Sequence, residues 1–397
     1  MTIAVTAMGS EGDVRPFVAL AKALRARGHD AFLVAAERFR VRAERAGVPF
    51  RASGQAWDEA SYRAVMSSVL AERSPMKQIR AFVDAGAREL TDSAAGVLEA
   101  TRGARLIVQH AGDVNAFAAS IVHGTARVTG TLAPGLLPGG VAAWMVRTMT
   151  PLLTDAPFQK VLAAAGVPPR KKIVLETAES ALLNLVAISP HVLPPHAAWK
   201  GRFEATGYWF LDEPSFEPSP ELRAFVEAGE APIVIGFGSM MDLDARVRAR
   251  IDAVVEAVIA SGRRAVIQAP DDVRAARASN AVLFTGYAPH DWLFARSAGV
   301  VHHGGAGTCA AAIRAGVPQA IVWVFADQPE WGKRLKALGV ATEPLAMKDL
   351  DARSLAQRLS AIDTTLRTKA RELGSQVRAE DGLARACERI EAVLSGT

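Results

Sequence analysis

The sequence contains little of what secreted, metal-binding or nucleic-acid-binding proteins need. Only two of its 397 residues are cysteines, Cys309 and Cys387, which lie far apart and show neither a disulfide framework nor metal-ligand spacing. The 46 Lys and Arg are spread along the chain and are not interleaved with aromatic residues, which does not favour nucleic-acid binding. The one tight basic run, residues 170–172, is interpreted as a solvated loop or helix start, with contact to an anionic membrane as the alternative.

Long apolar segments are missing as well. The most apolar stretch, residues 132–146, is interrupted by prolines and glycines and is too short to span a bilayer. Residues 1–5 enter a strand pattern directly, without the basic start and long apolar core of a signal peptide. Because two distant cysteines also fit a reducing compartment, these features predict a cytoplasmic protein.

Apolar strand patterns alternate with helical patterns along the chain, whose length suggests two domains. The first series has predicted strands at residues 3–7, 31–35, 106–108 and 186–189, and its first helix ends at Gly28. An acidic, proline-rich linker is predicted at residues 207–232. A second series follows, with strands at residues 233–237, 265–268 and 282–285 and a helix near residues 244–261. This βαβ rhythm predicts doubly wound parallel sheets.

Residues 298–331 form the most informative segment. An apolar strand at 298–301 leads into a glycine-rich turn, 303–308, and an alanine-rich helix that reaches Gly316. Glycines let a backbone approach phosphate closely, and the free N–H groups of a helix start attract anions. His303 can add a ring N–H and Thr308 a hydroxyl. Asp327 and Gln328 follow a second strand, 320–325, where a carboxylate beside an amide suits sugar hydroxyls.

The segment 9–16, Gly-Ser-Glu-Gly-Asp-Val-Arg-Pro, precedes the first predicted helix. Ser10 or Asp13 can cap that helix by accepting hydrogen bonds from its free backbone N–H groups.

Together, segments 9–16 and 298–331 resemble the inverting, nucleotide-sugar-dependent glycosyltransferases of the GT-B superfamily, in the branch of antibiotic, plant-metabolite and sterol glycosyltransferases. The resemblance covers nearly the whole chain. It implies two Rossmann-like, doubly wound parallel-sheet domains facing a cleft, with the acceptor domain at 1–212 and the donor domain at 213–378. It also implies a C-terminal helix within 379–397 that crosses back to the first domain.

The resemblance assigns roles to individual residues. Asp13 is expected to be the general base, and His303, Gly305, Gly307 and Thr308 are expected to bind the diphosphate. Ser239 is expected to meet the phosphates and the sugar, Tyr287 to stack on the base, and the Ala288 backbone to pair with the base edge. Asp327 and Gln328 are expected to bind hydroxyls of the sugar.

Two further segments bear on the donor. Residues 289–294 and 327–332 look like those of sterol and lipid glucosyltransferases, which favours UDP-glucose over a thymidine-linked deoxysugar. Trp323 and Ala295 depart from the family pattern, because proline is commoner at both positions. Trp323 would enlarge the wall near the sugar.

The acceptor side is expected to bind a lipophilic small molecule, because apolar bulk fills the less regular parts of the first domain. Trp144 and Met145 belong to this group. His110 follows a predicted strand and either supports Asp13, lines the acceptor site or is a satisfied loop histidine. His29 and His302 are interpreted as structural.

No metal and no cofactor beyond the nucleotide sugar are expected. The sequence has no Cys/His cluster, and Asp242-Leu243-Asp244 is interpreted as a helix cap rather than a metal-binding D-x-D motif. The predicted function is thus inverting transfer of a hexose to a lipophilic natural product such as a sterol or polyketide. Three alternatives remain open: an antibiotic glycosyltransferase that uses a thymidine-linked deoxysugar, a UDP-sugar epimerase of the same fold, and a non-catalytic partner protein. The sequence does not indicate an oligomeric state.

Overall fold

A computed structural model of the chain describes residues 1–54, 57–72, 74–212, 216–274 and 280–396. The chain divides into two compact units, Met1–Leu211 with Glu380–Thr397, and Asp212–Ala379. The boundaries predicted from the sequence, after residues 212 and 378, each lie one residue from these. Part of the predicted linker, residues 213–215, lies outside the described residues.

The first unit contains a parallel sheet covered by helices. Its strands are β1 (Thr2–Thr6), β2 (Asp30–Ala35), β3 (Phe50–Ala52), β4 (Leu106–His110), β5 (Ala126–Thr131), β6 (Asn184–Val186) and β7 (Phe203–Ala205). Its helices up to the linker are α1 (Glu11–Ala26), α2 (Arg40–Arg45), α3 (Glu59–Ala71), α4 (Pro75–Thr101), α5 (Val114–His123), α6 (Gly140–Ala164) and α7 (Ile173–Ala178). The strand order is β3-β2-β1-β4-β5-β6-β7. The central strands are apolar along their length because helices bury both faces of such a sheet.

The second unit repeats this architecture. Its strands are β8 (Ile233–Gly236), β9 (Ala265–Gln268), β10 (Val282–Thr285), β11 (Gly299–His302), β12 (Gln319–Trp323) and β13 (Leu345–Ala346). Its helices are α8 (Pro220–Glu227), α9 (Met240–Leu243), α10 (Ala245–Arg248), α11 (Ile251–Ala260), α12 (Asp271–Arg274), α13 (His290–Phe294), α14 (Ala306–Ala315), α15 (Gln328–Ala337), α16 (Ala352–Ser360) and α17 (Thr364–Arg378). The strand order is β10-β9-β8-β11-β12-β13, and all neighbouring strands are parallel. The expected fold class, two doubly wound parallel sheets, is confirmed.

The last helix, α18 (Gly382–Gly396), belongs to the first unit. Its Ala386, Cys387 and Ile390 are fully buried in the core around β1 and α1. The Glu391 carboxylate accepts hydrogen bonds from Arg27 just after α1, at 2.8 and 2.7 Å. Across the described segments, no helix combines the length and the apolar character that crossing a membrane requires.

Several predicted elements have different bounds in the structure. The helix predicted near residues 244–261 is two helices, α10 and α11, and the short helix α9 precedes them. Asp244 is extended there, and its carboxylate accepts a hydrogen bond from the Arg246 backbone N–H at 2.9 Å, so that a new helix starts after it. The strand predicted at 186–189 ends at Val186, and the strand predicted at 320–325 ends at Trp323.

Candidate functional site

Asp13 lies in the first turn of α1, directly after β1 and its glycine-containing loop. Its Oδ2 accepts hydrogen bonds from the backbone N–H and the Oγ of Ser10, both at 2.8 Å. Asp13 therefore closes the helix start, as the capping interpretation predicts. Among the described residues no hydrogen bond reaches Oδ1, so this half-buried carboxylate keeps one oxygen for another partner.

Gly9 makes room for this carboxylate. Its φ is +104°, and a Cβ at Gly9 would lie 2.6 Å from Asp13 Oδ2. Any other residue would need a strained backbone and would push the carboxylate away. The sequence of the loop thus specifies the position of the Asp13 side chain.

His110 ends β4 and lies close to the same helix. Its Nδ1 accepts a hydrogen bond from the Gly112 backbone N–H at 3.1 Å. Its ring packs edge-on against Phe17, with ring centroids 5.6 Å apart, and Phe17 is one helical turn beyond Asp13. This geometry is that of a satisfied loop histidine beside the Asp13 turn, since no described hydrogen bond joins His110 to Asp13.

In the second unit, the predicted donor residues follow the carboxyl ends of four parallel strands of one sheet. Ser239 comes after β8, Tyr287 and Ala288 after β10, His303 after β11, and Asp327 after β12. Parallel strands end at the same edge of their sheet, so one edge gathers these residues. Ser239 is exposed and precedes α9.

His303 is enclosed by two glycines of this edge. A Cβ at Gly238 would lie 3.3 Å from His303 Cε1, and one at Gly305 would lie 2.5 Å from Nε2. The Nδ1 atom is buried and has no hydrogen-bond partner among the described residues. Burial lowers the His303 pKa to about 4, so the ring is neutral at physiological pH and offers a hydrogen bond rather than a charge.

The glycine turn leads into α14 as expected, but the helix begins at Ala306, with Gly305 preceding it. The first bond of the helix runs from the Cys309 N–H to the Gly305 carbonyl, at 2.9 Å. The earlier N–H groups, those of Ala306, Gly307 and Thr308, are the ones that a helix start presents to an anion. Gly307 is exposed, and Thr308 is half-buried.

Asp327 and Gln328 hold their own loop in place. Asp327 Oδ2 accepts from the Trp331 indole N–H at 2.9 Å. Gln328 Oε1 accepts from the backbone N–H groups of Val324 and Phe325, at 2.7 and 3.1 Å. The Gln328 oxygen therefore has a structural role that the sequence did not indicate, and its Nε2 is the group left for a ligand.

This loop is also packed against the glycine turn. A Cβ at Gly304 would lie 3.2 Å from the Gln328 carbonyl oxygen, and Gly304 has a φ of +89°. Ala326 adopts a φ of +58°, a left-handed conformation that costs a non-glycine residue of the order of 1–3 kcal/mol. The backbone just before Asp327 is thus strained at the edge where the donor residues gather.

Tyr287 and Ala288 differ sharply in exposure. The Tyr287 side chain is 63% exposed, whereas Ala288 is fully buried. The Ala288 carbonyl accepts a hydrogen bond from Gln268 Nε2 at 2.9 Å, so the backbone group left for a base edge is its N–H. An exposed tyrosine ring beside a buried backbone is suited to stack on a flat base.

Gln268 is a residue of this edge that sequence reasoning missed. It ends β9, its Nε2 holds the Ala288 carbonyl, and a Cβ at Gly236 would lie 3.0 Å from its Oε1. Its side chain thereby links the end of β9 to the loop after β10 and lies against the end of β8. A polar residue that closes an apolar strand, Ala-Val-Ile-Gln, was the available signal.

Trp144 and Met145 lie on α6 of the first unit, where their side chains are 65% and 50% exposed. Met149 and Leu152, on the next turns, are also largely exposed. No described contact joins any of these residues to Asp13. They form an exposed apolar surface of α6.

The remaining predicted roles concern histidines and acids. His302 is fully buried, with Nε2 2.9 Å from Gln319 Oε1, and His29 Nε2 is 3.0 Å from Glu391, so both are structural, as predicted. Asp244 accepts bonds from the Arg246 backbone and guanidinium, which confirms it as a cap. In the described parts of the chain, no three His, Cys, Asp or Glu residues are grouped as a metal ion would require.

Comparison with known proteins identifies relatives over the whole chain. Residues 3–101 match the glycosyltransferase family 28 N-terminal domain, and residues 239–392 match the erythromycin biosynthesis protein CIII-like C-terminal domain. The chain is 33% identical to O-mycaminosyltylonolide 6-deoxyallosyltransferase of Streptomyces fradiae, over 98% of this chain and 97% of that protein.

Other relatives share part of their length or only the fold. A sterol 3-beta-glucosyltransferase of Arabidopsis thaliana is 35% identical over 49% of this chain, a match that spans 31% of that protein. The crystal structure of the Streptomyces sp. SF2575 glycosyltransferase SsfS6 with thymidine diphosphate has a TM-score of 0.71, at 20% identity and 99% coverage of both chains. Because the identity to the first relative extends over nearly the full length of both proteins, this chain belongs to the GT-B glycosyltransferase family that includes antibiotic and sterol glycosyltransferases.

Proposed function

We propose that this glycosyltransferase moves a hexose, with inversion, from a nucleoside diphosphate sugar to a hydroxyl of a lipophilic small molecule. The observation that carries the proposal is the environment of His303 at the edge where the strands of the second sheet end. There His303 has a buried Nδ1 without a described partner, next to glycines that leave no space for a Cβ. Such a backbone-lined, neutral site with free helix N–H groups favours a diphosphate.

In this mechanism, Asp13 accepts the proton of the acceptor hydroxyl as its oxygen attacks the anomeric carbon. The bond between that carbon and the diphosphate oxygen breaks, and the electron pair leaves with the nucleoside diphosphate. The backbone N–H groups at the start of α14 and the His303 ring donate hydrogen bonds to the departing oxygens. Asp13 Oδ1, which has no described hydrogen bond, is the atom available to take the proton.

UDP-glucose is the proposed donor, with Tyr287 stacked on uracil and the Ala288 N–H at the base edge. Asp327, Gln328 Nε2 and Ser239 would bind the sugar and the phosphates. A thymidine-linked 6-deoxyhexose is the second candidate, because a relative that matches nearly the full length of both proteins is a deoxyallosyltransferase. Thermal shift with each donor separates the two. We expect the larger rise in melting temperature with UDP-glucose, and a larger rise with the thymidine-linked sugar would reassign the donor.

A lipophilic acceptor is supported by the exposed apolar surface of α6. Four large apolar side chains are exposed there, those of Trp144, Met145, Met149 and Leu152. A grouped apolar surface of this kind is typical of a site that binds a ligand or a partner. The surface fits a sterol-like or polyketide acceptor better than a sugar. His110, beside the Asp13 turn, would line the approach to the base.

We also propose that the reaction needs neither a metal ion nor a further cofactor. The acids that match a D-x-D motif are engaged by arginines, Asp244 by Arg246 at 2.6 Å and Asp242 by Arg248 at 3.6 Å. The charge of the leaving group is then left to the helix start and His303.

Consumption of UDP-glucose, measured with and without a panel of hydrophobic alcohols, tests the function. A transferase consumes the donor at a rate that depends on the alcohol and yields a β-linked product from an α-linked donor. Equal turnover without any alcohol, with an epimerised sugar as product, would show an epimerase. Absence of turnover with every donor, while nucleotide binding persists, would show a non-catalytic partner protein.

A further inference from the structure

Arg38, just after β2, is a buried arginine that reaches the loop before Asp13. Its side chain is 5% exposed. Nη2 donates to the Gly9 carbonyl at 3.0 Å, and Nη1 donates to Glu89 Oε1 at 3.0 Å and to the Trp57 carbonyl at 3.2 Å. The guanidinium also lies 4.4 Å from the centre of the Tyr62 ring. One side chain therefore joins four segments of the first unit.

The charge of Arg38 is balanced locally. Glu89 on α4 is 14% exposed, and the pair is thus largely withdrawn from water. Burial raises the Tyr62 pKa to about 12, so this neighbour stays neutral at physiological pH. Removing either charged partner would leave the other buried and unpaired, which is why the pair is expected to hold one geometry.

The bond to Gly9 acts on the peptide unit that orients Asp13. The Gly9 carbonyl and the Ser10 N–H belong to the same planar peptide group. Arg38 holds the carbonyl end of this group, while the N–H end donates to Asp13 Oδ2 at 2.8 Å. Glycine at position 9 leaves this peptide free to rotate, because its φ of +104° is one of many conformations open to glycine. The Arg38 hydrogen bond opposes such a rotation at the carbonyl end, as the Asp13 hydrogen bond does at the N–H end.

A small cavity lies behind the loop. It has a volume of about 20 Å³ and is lined by Gly9, Arg38, Glu89, Asp113 and Asn115, among others. Apolar residues, Met8, Val34 and Leu90 among them, also line it. A space of this size holds about one water molecule.

We propose that Arg38, in its ion pair with Glu89, is a positioning residue that fixes the Gly9–Ser10 peptide and through it the Asp13 carboxylate. This inference rests on the proposed role of Asp13 as general base. Arg38 acts through hydrogen bonds within the first unit. Since it also bonds Trp57 and stacks on Tyr62, it sets the loop relative to α3.

The test compares two acceptors of similar size on the full-length chain, with UDP-glucose and the thymidine-linked 6-deoxyhexose as donors. One acceptor is a benzylic alcohol, which needs a base, and the other is a nitrophenol, which is already ionised at the assay pH. We expect Arg38→Gln to lower kcat for the alcohol by roughly 10- to 100-fold, because a small misplacement of a catalytic group has effects of this size. The nitrophenolate rate should change by less than a factor of about three, since it requires no proton transfer.

Three variants accompany Arg38→Gln. The ratio that is compared is kcat for the alcohol divided by kcat for the nitrophenolate. Glu89→Gln should lower this ratio, by a smaller factor than Arg38→Gln does. Arg38→Lys should restore the ratio only in part, because one ammonium cannot replace the planar fork that spans Gly9 and Glu89. Arg127→Gln is the matched control. Arg127 also donates to backbone carbonyls, of Thr177 at 3.0 Å and Glu176 at 2.6 Å, and lies over Phe117, but none of its described hydrogen bonds reaches the loop. Its ratio should equal that of the wild type.

Amide hydrogen exchange of residues 9–14 provides a readout that does not need an acceptor. We expect the Ser10 N–H to exchange faster in Arg38→Gln than in Arg127→Gln. Unchanged exchange, or an equal loss of rate with both acceptors, would overturn the positioning role. If Asp13→Asn leaves transfer to the alcohol intact, the proposed base fails instead, and the exchange result still decides whether Arg38 holds the loop.

Discussion

Replacing Asp13 by Asn separates the capping role that the structure shows from the proposed role as general base. Asp13 Oδ2 accepts both bonds from Ser10, at 2.8 Å each. The amide oxygen of Asn can accept both in the same place. The amide nitrogen would then stand where Oδ1 stands, and it cannot take a proton.

The two roles predict effects of different size. Losing a negative charge in the first turn of α1 costs about 0.3–1 kcal/mol of stability. The cap itself is kept in Asn, whereas Asp13→Ala would add a capping loss of about 0.5–2 kcal/mol. Losing a general base slows transfer by about 10²–10⁴-fold, which corresponds to about 3–5 kcal/mol in the activation barrier. The rate effect is therefore several times larger than the stability effect.

Steady-state transfer to a hydrophobic alcohol and urea unfolding of the same preparations measure both quantities. Asp363→Asn is the matched control, because Asp363 caps α17 by accepting from the Leu366 N–H at 2.8 Å and lies in the other unit. It should lose similar stability and no activity, and nucleoside diphosphate binding should be unchanged in both variants. Transfer by Asp13→Asn at the wild-type rate would refute the assignment of Asp13 as base and make His110 the next candidate.

Four further predictions concern both units. His303→Ala should weaken nucleoside diphosphate binding by about 10-fold in calorimetry, the value of one hydrogen bond from a neutral ring; unchanged affinity would remove His303 from the diphosphate site. Transfer should persist in excess chelator, and a loss that Mg²⁺ restores would contradict metal independence. Gly9→Ala should slow transfer to alcohols, because its Cβ would lie 2.6 Å from Asp13 Oδ2. Gly12→Ala is the control and should keep the wild-type rate, because the nearest atom to its Cβ lies at 3.6 Å. Equal rates of the two variants would show that the loop can adjust. Burial lowers the His302 pKa from 6.5 to about 3, so the unfolded chain binds more protons below pH 6.5 and the free energy of unfolding should fall as the pH drops toward 3. The slope reaches at most ~1.4 kcal/mol per pH unit for one group, and His302→Gln should reduce it in urea titrations at several pH values.

Local patterns in the sequence identify most of the central strands. β9 and β10 have the predicted bounds, β2 and β8 differ by one residue at one end, and β1 differs by one residue at each end. Such strands are short, buried and nearly wholly apolar, so their sequence carries the signal. The edge strands β3 and β7 and the inner strand β5 were not predicted, since they include polar, charged or glycine residues, as in Ala-Arg-Val-Thr-Gly-Thr of β5.

The candidate site could be located because its residues follow strand ends. His303, Asp327 and Tyr287 each come shortly after an apolar run, and parallel strands bring such positions to one edge without any further information. Asp13 was found in the same way, after β1. Their roles remain predictions, and those roles came from the resemblance rather than from the strand patterns.

The sequence by itself therefore determined the two parallel α/β units and the set of polar residues at one edge of the second sheet, because strand burial and glycine turns are local properties. Only the tertiary structure decided which groups are already engaged. Gln328 Oε1 is taken by its own loop, the Ala288 carbonyl by Gln268, and the Gly9 carbonyl by Arg38. Two of these partners come from segments 20 and 29 residues away, and all depend on side-chain direction, which no periodicity in the sequence encodes.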